Sequence, residues 1–147
     1  MIQQSIQRLR FLCDTIPQLL SALEEHNFTY KPAPGTWSKK EIVGHLIDSA
    51  TNNHQRFVRG QFEDVPVINY DTDAWNDHGY YNKIESRQII AFWTSYNKQL
   101  LALIQLIPQN LLTREVNTGG AANETLGFLI NDYVVHLEHH LHQVVDY

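Results

Sequence analysis

Histidines are the residues of this sequence best suited to chemistry, because a neutral imidazole is a good ligand for divalent metal ions. The 147-residue chain has eight of them, and four lie within residues 136–142. His136 and His140 stand four residues apart, the spacing that places two side chains on one face of a helix. The pair is therefore placed to share one metal ion. The alternative is that each is an ordinary hydrogen-bonded core histidine.

Helical direction separates the four histidines of this segment into two pairs. A helix advances about 100° per residue, and Tyr133, on the apolar stripe, gives the core direction. His140 then falls at about −20° and His136 at about −60°, so both point inwards. His139 falls at about −120° and His142 at about 180°, so both point outwards. Only the first pair is predicted to share an inward-facing site.

A polar stripe beside the apolar stripe of the second predicted helix supplies a candidate third ligand. The stripe consists of His45, Ser49, Asn52, Asn53 and Arg56. It is either a solvated flank or the wall of a polar cavity that faces the histidine pair. In the second case His45 completes three protein ligands with an open position, as in a catalytic zinc-like site. Arg56 either clamps an anionic group of a substrate or forms a surface ion pair.

Four further residues have signals that leave two interpretations open. Asp132 either accepts the free ring N–H of a metal-bound His136 or is an exposed helix aspartate. Asp48 points away from the polar stripe, which leaves its role open, a structural role being one interpretation. Trp75 and Tyr81 either roof the cavity or only hold the loop against the bundle.

His54 and His78 are weaker candidates for the site. His54 lies on the far side of the second helix, and His78 lies in a loop from which it could swing in, although its spacing does not indicate this. His26 ends the first helix, where an imidazolium complements the helix dipole. Cys13 is expected to be a small buried residue rather than a nucleophile, because no base is near it in sequence.

Two apolar-periodic segments of the N-terminal half are predicted to be helices. The first covers residues 2–26 and contains Pro17, which should kink the helix or restart it. The second begins at Ser38 with a capping box that Glu41 completes. It is expected to end at Gly60.

Two more helices are predicted in the C-terminal half, over residues 86–107 and 124–146, with Asn123 as the N-cap of the last. Residues 61–85 form a long loop between the second and third helices, and its aromatic residues favour a packed lid over disorder. No segment shows sustained strand alternation. We therefore predict an all-α four-helix bundle in a single domain, residues 1–147.

Composition excludes several classes of partner. The formal net charge of −5 and the pI of about 5.8 argue against a nucleic-acid-binding surface. No apolar run is long enough for a membrane span, and the N-terminal segment lacks the apolar core of a signal peptide. A single cysteine excludes an internal disulfide and fits a reducing compartment. The protein is expected to be cytoplasmic and to act on a small molecule.

Three short motifs resemble the DinB/YfiT-like superfamily in their order and spacing. They are PGTWS at residues 34–38, GHLID at residues 44–48 and HLEHH at residues 136–140. The resemblance implies a four-helix bundle with a 1-2-4-3 helix arrangement. It also implies a divalent metal ion held by three histidines, which by position are His45, His136 and His140.

The resemblance also implies a class of reaction. Active members of the superfamily are thiol-dependent transferases, which conjugate or isomerise electrophiles with a low-molecular-weight thiol such as bacillithiol or mycothiol; others are metal-dependent hydrolases. Imidazole suits several transition metals, and zinc or nickel is the expected ion. A metal-dependent transferase is therefore the leading hypothesis. The alternatives are a hydrolase, or a non-catalytic homodimer that binds a metal or a small ligand.

Overall fold

The computed structural model describes residues 1–147, and the chain forms six α-helices. They are α1 Gln3–Ser21, α2 Glu25–Thr29, α3 Lys39–Arg59, α4 Thr72–Gly79, α5 Ser86–Leu106 and α6 Leu126–Leu141. Two short 3-10 helices lie at Tyr81–Lys83 and Gln109–Leu111, and the strands β1 Glu115–Val116 and β2 Glu124–Thr125 pair antiparallel. None of the helices has the length and apolar character needed to cross a membrane.

The four long helices form a four-helix bundle, as predicted, but their order differs from the expected one. α1 packs against α5, α5 against α3, α3 against α6, and α6 against α1. A 1-2-4-3 arrangement would instead place the first helix beside the second and the third beside the fourth. The connections 22–38 and 107–125 therefore join helices that are not principal neighbours in the bundle.

The core is built from one apolar stripe of each long helix. Trp93 of α5 and Tyr133 of α6 are its largest fully buried side chains. The Tyr133 hydroxyl donates a hydrogen bond of 2.6 Å to Oδ1 of Asn97. Two polar groups buried between α5 and α6 thus satisfy each other, as burial requires.

Both ends of α3 follow the sequence prediction. The Glu41 backbone N–H donates to Oγ of Ser38, and the Ser38 N–H donates to Oε1 of Glu41, each over 3.0 Å. This reciprocal capping box starts the helix, and Gly60 is its C-cap. The fixed start sets which α3 side chains face α6.

The N-terminal prediction needs correction at two points. α1 runs without interruption across Pro17 and ends at Ser21, so the expected restart is absent. His26 does not end this helix but lies in the separate short helix α2. The helix continues because Pro17 removes only one backbone hydrogen bond. The buried apolar stripe of α1, which includes Leu12, Ile16 and Leu20, spans that position.

The expected long loop contains a helix of its own. α4 starts at Asp71, whose Oδ1 accepts the Ala74 N–H over 3.0 Å. It ends at Tyr80, which adopts a left-handed backbone conformation with φ 53°. The segment is therefore packed rather than disordered, as the aromatic content predicted.

The start of α6 also differs from the prediction. Thr125 is the N-cap, and its Oγ1 accepts the Phe128 N–H over 3.2 Å. Asn123 instead donates to Oε2 of Glu115 and accepts a hydrogen bond from Asn117, across the β1–β2 connection. The two-residue strands were too short to show alternation in the sequence.

Candidate metal site

The structure brings His45 of α3 together with His136 and His140 of α6. His45 is buried with 4 % exposure, and the other two are half-buried. Nε2 of His45 lies 3.1 Å from Nε2 of His136. One ring nitrogen from each of the three residues lies within 4.8 Å of the others.

The positions of the three rings follow from local structure. The capping box sets the register of α3, and Thr125 sets that of α6. The four-residue spacing then aligns the two α6 histidines on one face. α3 packs directly on α6, so His45 meets that face from the opposite helix.

Burial keeps the rings of His45 and His136 neutral. It lowers the pKa of His45 from 6.5 to about 3, and the neighbouring imidazoles of His136 and His140 lower it further. The pKa of His136 falls to about 4 for the same reasons, burial being the larger. A neutral imidazole offers one nitrogen lone pair, so at neutral pH the cluster presents ligands rather than charges.

Two contacts orient the rings from outside the cluster. Nδ1 of His140 lies 3.0 Å from Oε1 of Gln143, which leaves Nε2 of that ring free for the site. The Trp37 ring lies 4.9 Å from the His45 ring at an interplanar angle of 33°. Gln143 was not predicted as a partner of the site, although a carboxamide three residues after a candidate ligand is a recognisable signal.

One polar atom of the cluster has no partner. Nδ1 of His45 is buried and makes no hydrogen bond. Oδ1 of Asn76, whose Nδ2 donates to the Glu41 carbonyl one turn before His45, is buried and also lacks a partner. Unpaired buried polar atoms are costly, and in native proteins they concentrate at functional sites.

The remaining histidines do not join the site. His139 and His142 are exposed, as predicted, and the His142 ring stacks on Tyr147 with centroids 4.2 Å apart. Nδ1 of His54 lies 3.0 Å from the Tyr96 hydroxyl. Nδ1 of His78 lies 2.8 Å from the Ala74 carbonyl. The high histidine content therefore pointed to the site, although most of the histidines lie outside the three-histidine cluster.

Arg56 is neither a surface ion pair nor a free clamp. Its guanidinium donates to the Ile68 carbonyl over 3.0 and 3.3 Å and to Oδ1 of Asn53 over 3.4 Å. Burial lowers its pKa. It ties the segment before α4 to α3, so an anion would have to compete with these contacts.

Two other predictions have clear outcomes. Asp132 is exposed and makes no hydrogen bond to His136, so the exposed alternative is the observed one. Cys13 is buried, and burial raises the pKa of its thiol to about 11. A protonated buried thiol is a poor nucleophile, as the sequence analysis expected.

Asp48 is more deeply buried than its direction, away from the polar stripe, suggested. It has 3 % exposure, and Oδ1 accepts a hydrogen bond from the Tyr81 hydroxyl. Oδ2 has no partner. Burial raises the pKa of Asp48 from 3.8 to about 6, and the hydrogen bond from Tyr81 offsets part of that effect.

This pKa shift predicts a pH-dependent stability. The folded state binds the Asp48 proton more tightly than the unfolded state, so the stabilisation is complete below pH 3.8 and is lost as the pH rises through about 6. Asp48→Asn does not titrate and keeps an acceptor for Tyr81. The quantity to compare is the difference in unfolding free energy between the native protein and this variant. We expect this difference to fall by roughly 1–2 kcal/mol as the pH rises through the window. Urea titrations at several pH values measure it, and a flat difference would contradict the shift.

The four long helices and the three convergent imidazoles define a helical-bundle protein with a histidine-lined site between two of its helices. The profile of the DinB superfamily matches residues 8–144, so the chain belongs to that superfamily. No curated protein matches the sequence.

Three solved structures share the fold. One is YfiT from Bacillus subtilis, described as a probable metal-dependent hydrolase with an unusual four-helix bundle topology. It superposes with a TM-score of 0.85 at 22% identity, and the match covers 96% of this chain and 82% of the YfiT chain. The mycothiol-dependent maleylpyruvate isomerase gives 0.77 at 11% identity, over 96% of this chain and 60% of the isomerase. The DinB-like protein YjoA from Bacillus subtilis gives 0.67 at 17% identity, over 97% and 87%. The chain thus spans only three-fifths of the isomerase.

Proposed function

We propose that this protein is a metal-dependent enzyme in which His45, His136 and His140 hold a divalent ion, zinc or nickel. The carrying observation is the convergence of three nitrogens, from rings on two different helices, within 4.8 Å. The donor set fits such an ion. Two Nε2 atoms face each other at 3.1 Å, and low pKa values keep at least two of the rings unprotonated. Three imidazoles leave one position of a tetrahedral site open.

The chain prepares the site in three ways. Burial keeps the imidazoles of His45 and His136 neutral, so protons do not compete for their nitrogens near neutral pH. Gln143 fixes the orientation of the His140 ring. The Trp37 ring covers one side of His45. A divalent ion, when bound, lowers the pKa of a thiol or water at its open position and creates a nucleophile at neutral pH.

We infer a thiol-dependent transfer to a small electrophile as the reaction. The shared fold with a mycothiol-dependent isomerase supports this choice. Cys13 is buried on α1 with a raised pKa, so the chain offers no thiol of its own to attack. A low-molecular-weight thiol is therefore the co-substrate, and the protein supplies the site that activates it.

A thiol-consumption assay tests this reaction. The metal-loaded protein is mixed with 1-chloro-2,4-dinitrobenzene and either bacillithiol, mycothiol or glutathione. In the expected reaction a sulfur–carbon bond forms, chloride leaves with its electron pair, and the thiol proton passes to solvent. We expect loss of free thiol with at least one of them, and a rate at least about a hundredfold lower for His140→Ala.

A matched variant and a second substrate make the outcome specific. His139→Ala removes an exposed histidine of the same helix turn and should leave the rate unchanged. Hydrolysis of a p-nitrophenyl ester, without thiol loss, would contradict the transferase and support a hydrolase, the activity in the description of YfiT. The absence of both thiol loss and ester hydrolysis would contradict the proposal that the protein is an enzyme.

The non-catalytic alternative requires a surface on which two copies could meet. α1 exposes Phe11, with 41 % exposure, and α5 exposes Phe92 and Leu106, with 50 % and 79 %. These are the two helices on which the homodimer hypothesis depends. Metal binding without turnover, together with a dimer in sedimentation equilibrium, would favour this alternative.

A further inference from the structure

A cavity separate from the histidine cluster lies between α3 and the segment that contains α4. Its volume is about 400 Å³, and Asp48, Ala74, Trp75, His78, Gly79 and Tyr81 line it. None of the three site histidines is among these residues. Asp48 and Tyr81 are buried, whereas Trp75 and His78 are exposed. The cavity therefore has a carboxylate on its buried side and two aromatic rings on its solvent side.

Asp48 carries the polar chemistry of this cavity. Its side chain has 3 % exposure, and it forms no ion pair. The lining contains no lysine or arginine. The Tyr81 hydroxyl satisfies Oδ1, but Oδ2 has no partner. A buried carboxylate oxygen without a donor is unfavourable unless a cation or a donor reaches it.

Tyr81 is held in place, so the carboxylate cannot easily turn to find another partner. A Cβ atom on Gly79 would lie 2.6 Å from Cε2 of Tyr81. A Cβ atom on Gly44 would overlap the same ring. The two glycines let the ring pack flat between α3 and α4, which keeps its hydroxyl on Asp48. The arrangement fixes Oδ1 and leaves Oδ2 buried without a partner.

The remaining groups of the cavity suit a positive charge. Trp75 is 38 % exposed, and its ring meets that of Tyr70 edge to face with the centroids 5.6 Å apart. An indole face attracts ammonium groups. Nδ1 of His78 donates to the Ala74 carbonyl over 2.8 Å, which ties this ring to its own helix. His78 and Tyr81 are the other titratable groups of the lining, and the Tyr70 phenol lies beside Asp48.

We propose that this cavity binds the protonated amine of a small organic molecule, with Asp48 Oδ2 accepting its hydrogen bond and Trp75 covering its apolar part. The proposal does not require the histidine site to hold a metal, because the lining residues of the two sites do not overlap. The proposal assigns a class of ligand to the carboxylate of Asp48, which the proposed metal chemistry does not use.

Binding of benzylammonium, with neutral benzyl alcohol as its isostere, tests the proposal on the full-length protein. Trp fluorescence and amide NMR shifts follow both titrations at neutral pH. We expect benzylammonium to bind at least about tenfold more tightly than benzyl alcohol, because a charge-assisted hydrogen bond forms only with the amine. The same preference in His140→Ala would exclude coordination of the amine to a metal as its cause.

Matched variants locate the interaction. Asp48→Asn should lower the benzylammonium affinity at least about tenfold and leave benzyl alcohol unaffected. Asp77→Asn, which removes an exposed carboxylate from α4, the helix that carries Trp75 and His78, should change neither. Circular dichroism checks the fold, and Trp75→Leu gives a second test that leaves Asp48 and Tyr81 intact. Equal binding of the amine and the alcohol, or equal loss in the two aspartate variants, would overturn the proposal.

Discussion

Alanine in place of His140 is expected to lower the affinity of the protein for zinc or nickel by more than about a hundredfold. Loss of an outer hydrogen-bond partner alone costs 10–100-fold in metal sites, and this change removes a ligand itself. The same loss is expected for His45→Ala. Metal analysis of protein purified without a histidine tag, followed by a competition titration with a chromogenic chelator, measures the effect.

The controls for this experiment lie on the same helix. His139 and His142 are exposed and lie close to His140 in sequence, so their alanine variants remove the same type of side chain from outside the cluster. The His139 ring meets the His140 ring edge to face at 5.0 Å, whereas His142 stacks on Tyr147, so His142→Ala is the stricter control. Both variants should retain the metal content of the native protein. Near-stoichiometric metal in both His45→Ala and His140→Ala would refute the three-histidine site.

The members of the histidine cluster could be predicted because helical geometry is nearly invariant. A step of about 100° per residue separated His136 and His140 from His139 and His142 without any tertiary information. His45 needed a second argument, because the sequence does not say which helices are neighbours. The polar stripe of α3 was visible, but the motif resemblance was needed to place it opposite α6.

The surroundings of the site were less predictable because they come from side chains that meet through the fold. Asp48 points away from the polar stripe of α3. Its burial was not predicted because the core was treated as the only buried face of this helix. The chain after α3 packs α4 and Tyr81 on a second face, so a residue directed away from the core is still buried. Only the tertiary structure reveals this second buried face.

The order of the helices and the short elements escaped prediction for a related reason. Hydrophobic periodicity identifies the buried face of a helix but not the neighbour that covers it. α4, with eight residues, and the two-residue strands are too short for a periodic signal. Capping residues were informative at α3, where Ser38 with Glu41 fixed the start, but not at α6, where Asn123 was predicted and the structure uses Thr125.

Gly44 shows how closely the α4 segment packs on α3. It lies inside a helix, where alanine is normally favoured over glycine by about 1 kcal/mol. A Cβ atom at this position would, however, overlap the ring of Tyr81. Tyr81 is also held by its hydrogen bond to Asp48 and by its contact with Gly79. The ring therefore cannot move without exposing itself and removing the only partner of a buried carboxylate.

Gly44→Ala is accordingly expected to destabilise the protein by roughly 3 kcal/mol, because overpacking and the loss of the Asp48 hydrogen bond outweigh the gain in helix propensity. Urea titration measures the change as a lower midpoint at constant slope. Gly120→Ala is the matched control, since a Cβ atom there meets only the Ala122 carbonyl oxygen at 4.0 Å, and its effect should stay within about 0.5 kcal/mol. In a Tyr81→Ala background the clash is absent, so Gly44→Ala should cost nothing and the two changes should be strongly non-additive. Additive effects of the two substitutions would mean that the ring is not what excludes a side chain at residue 44.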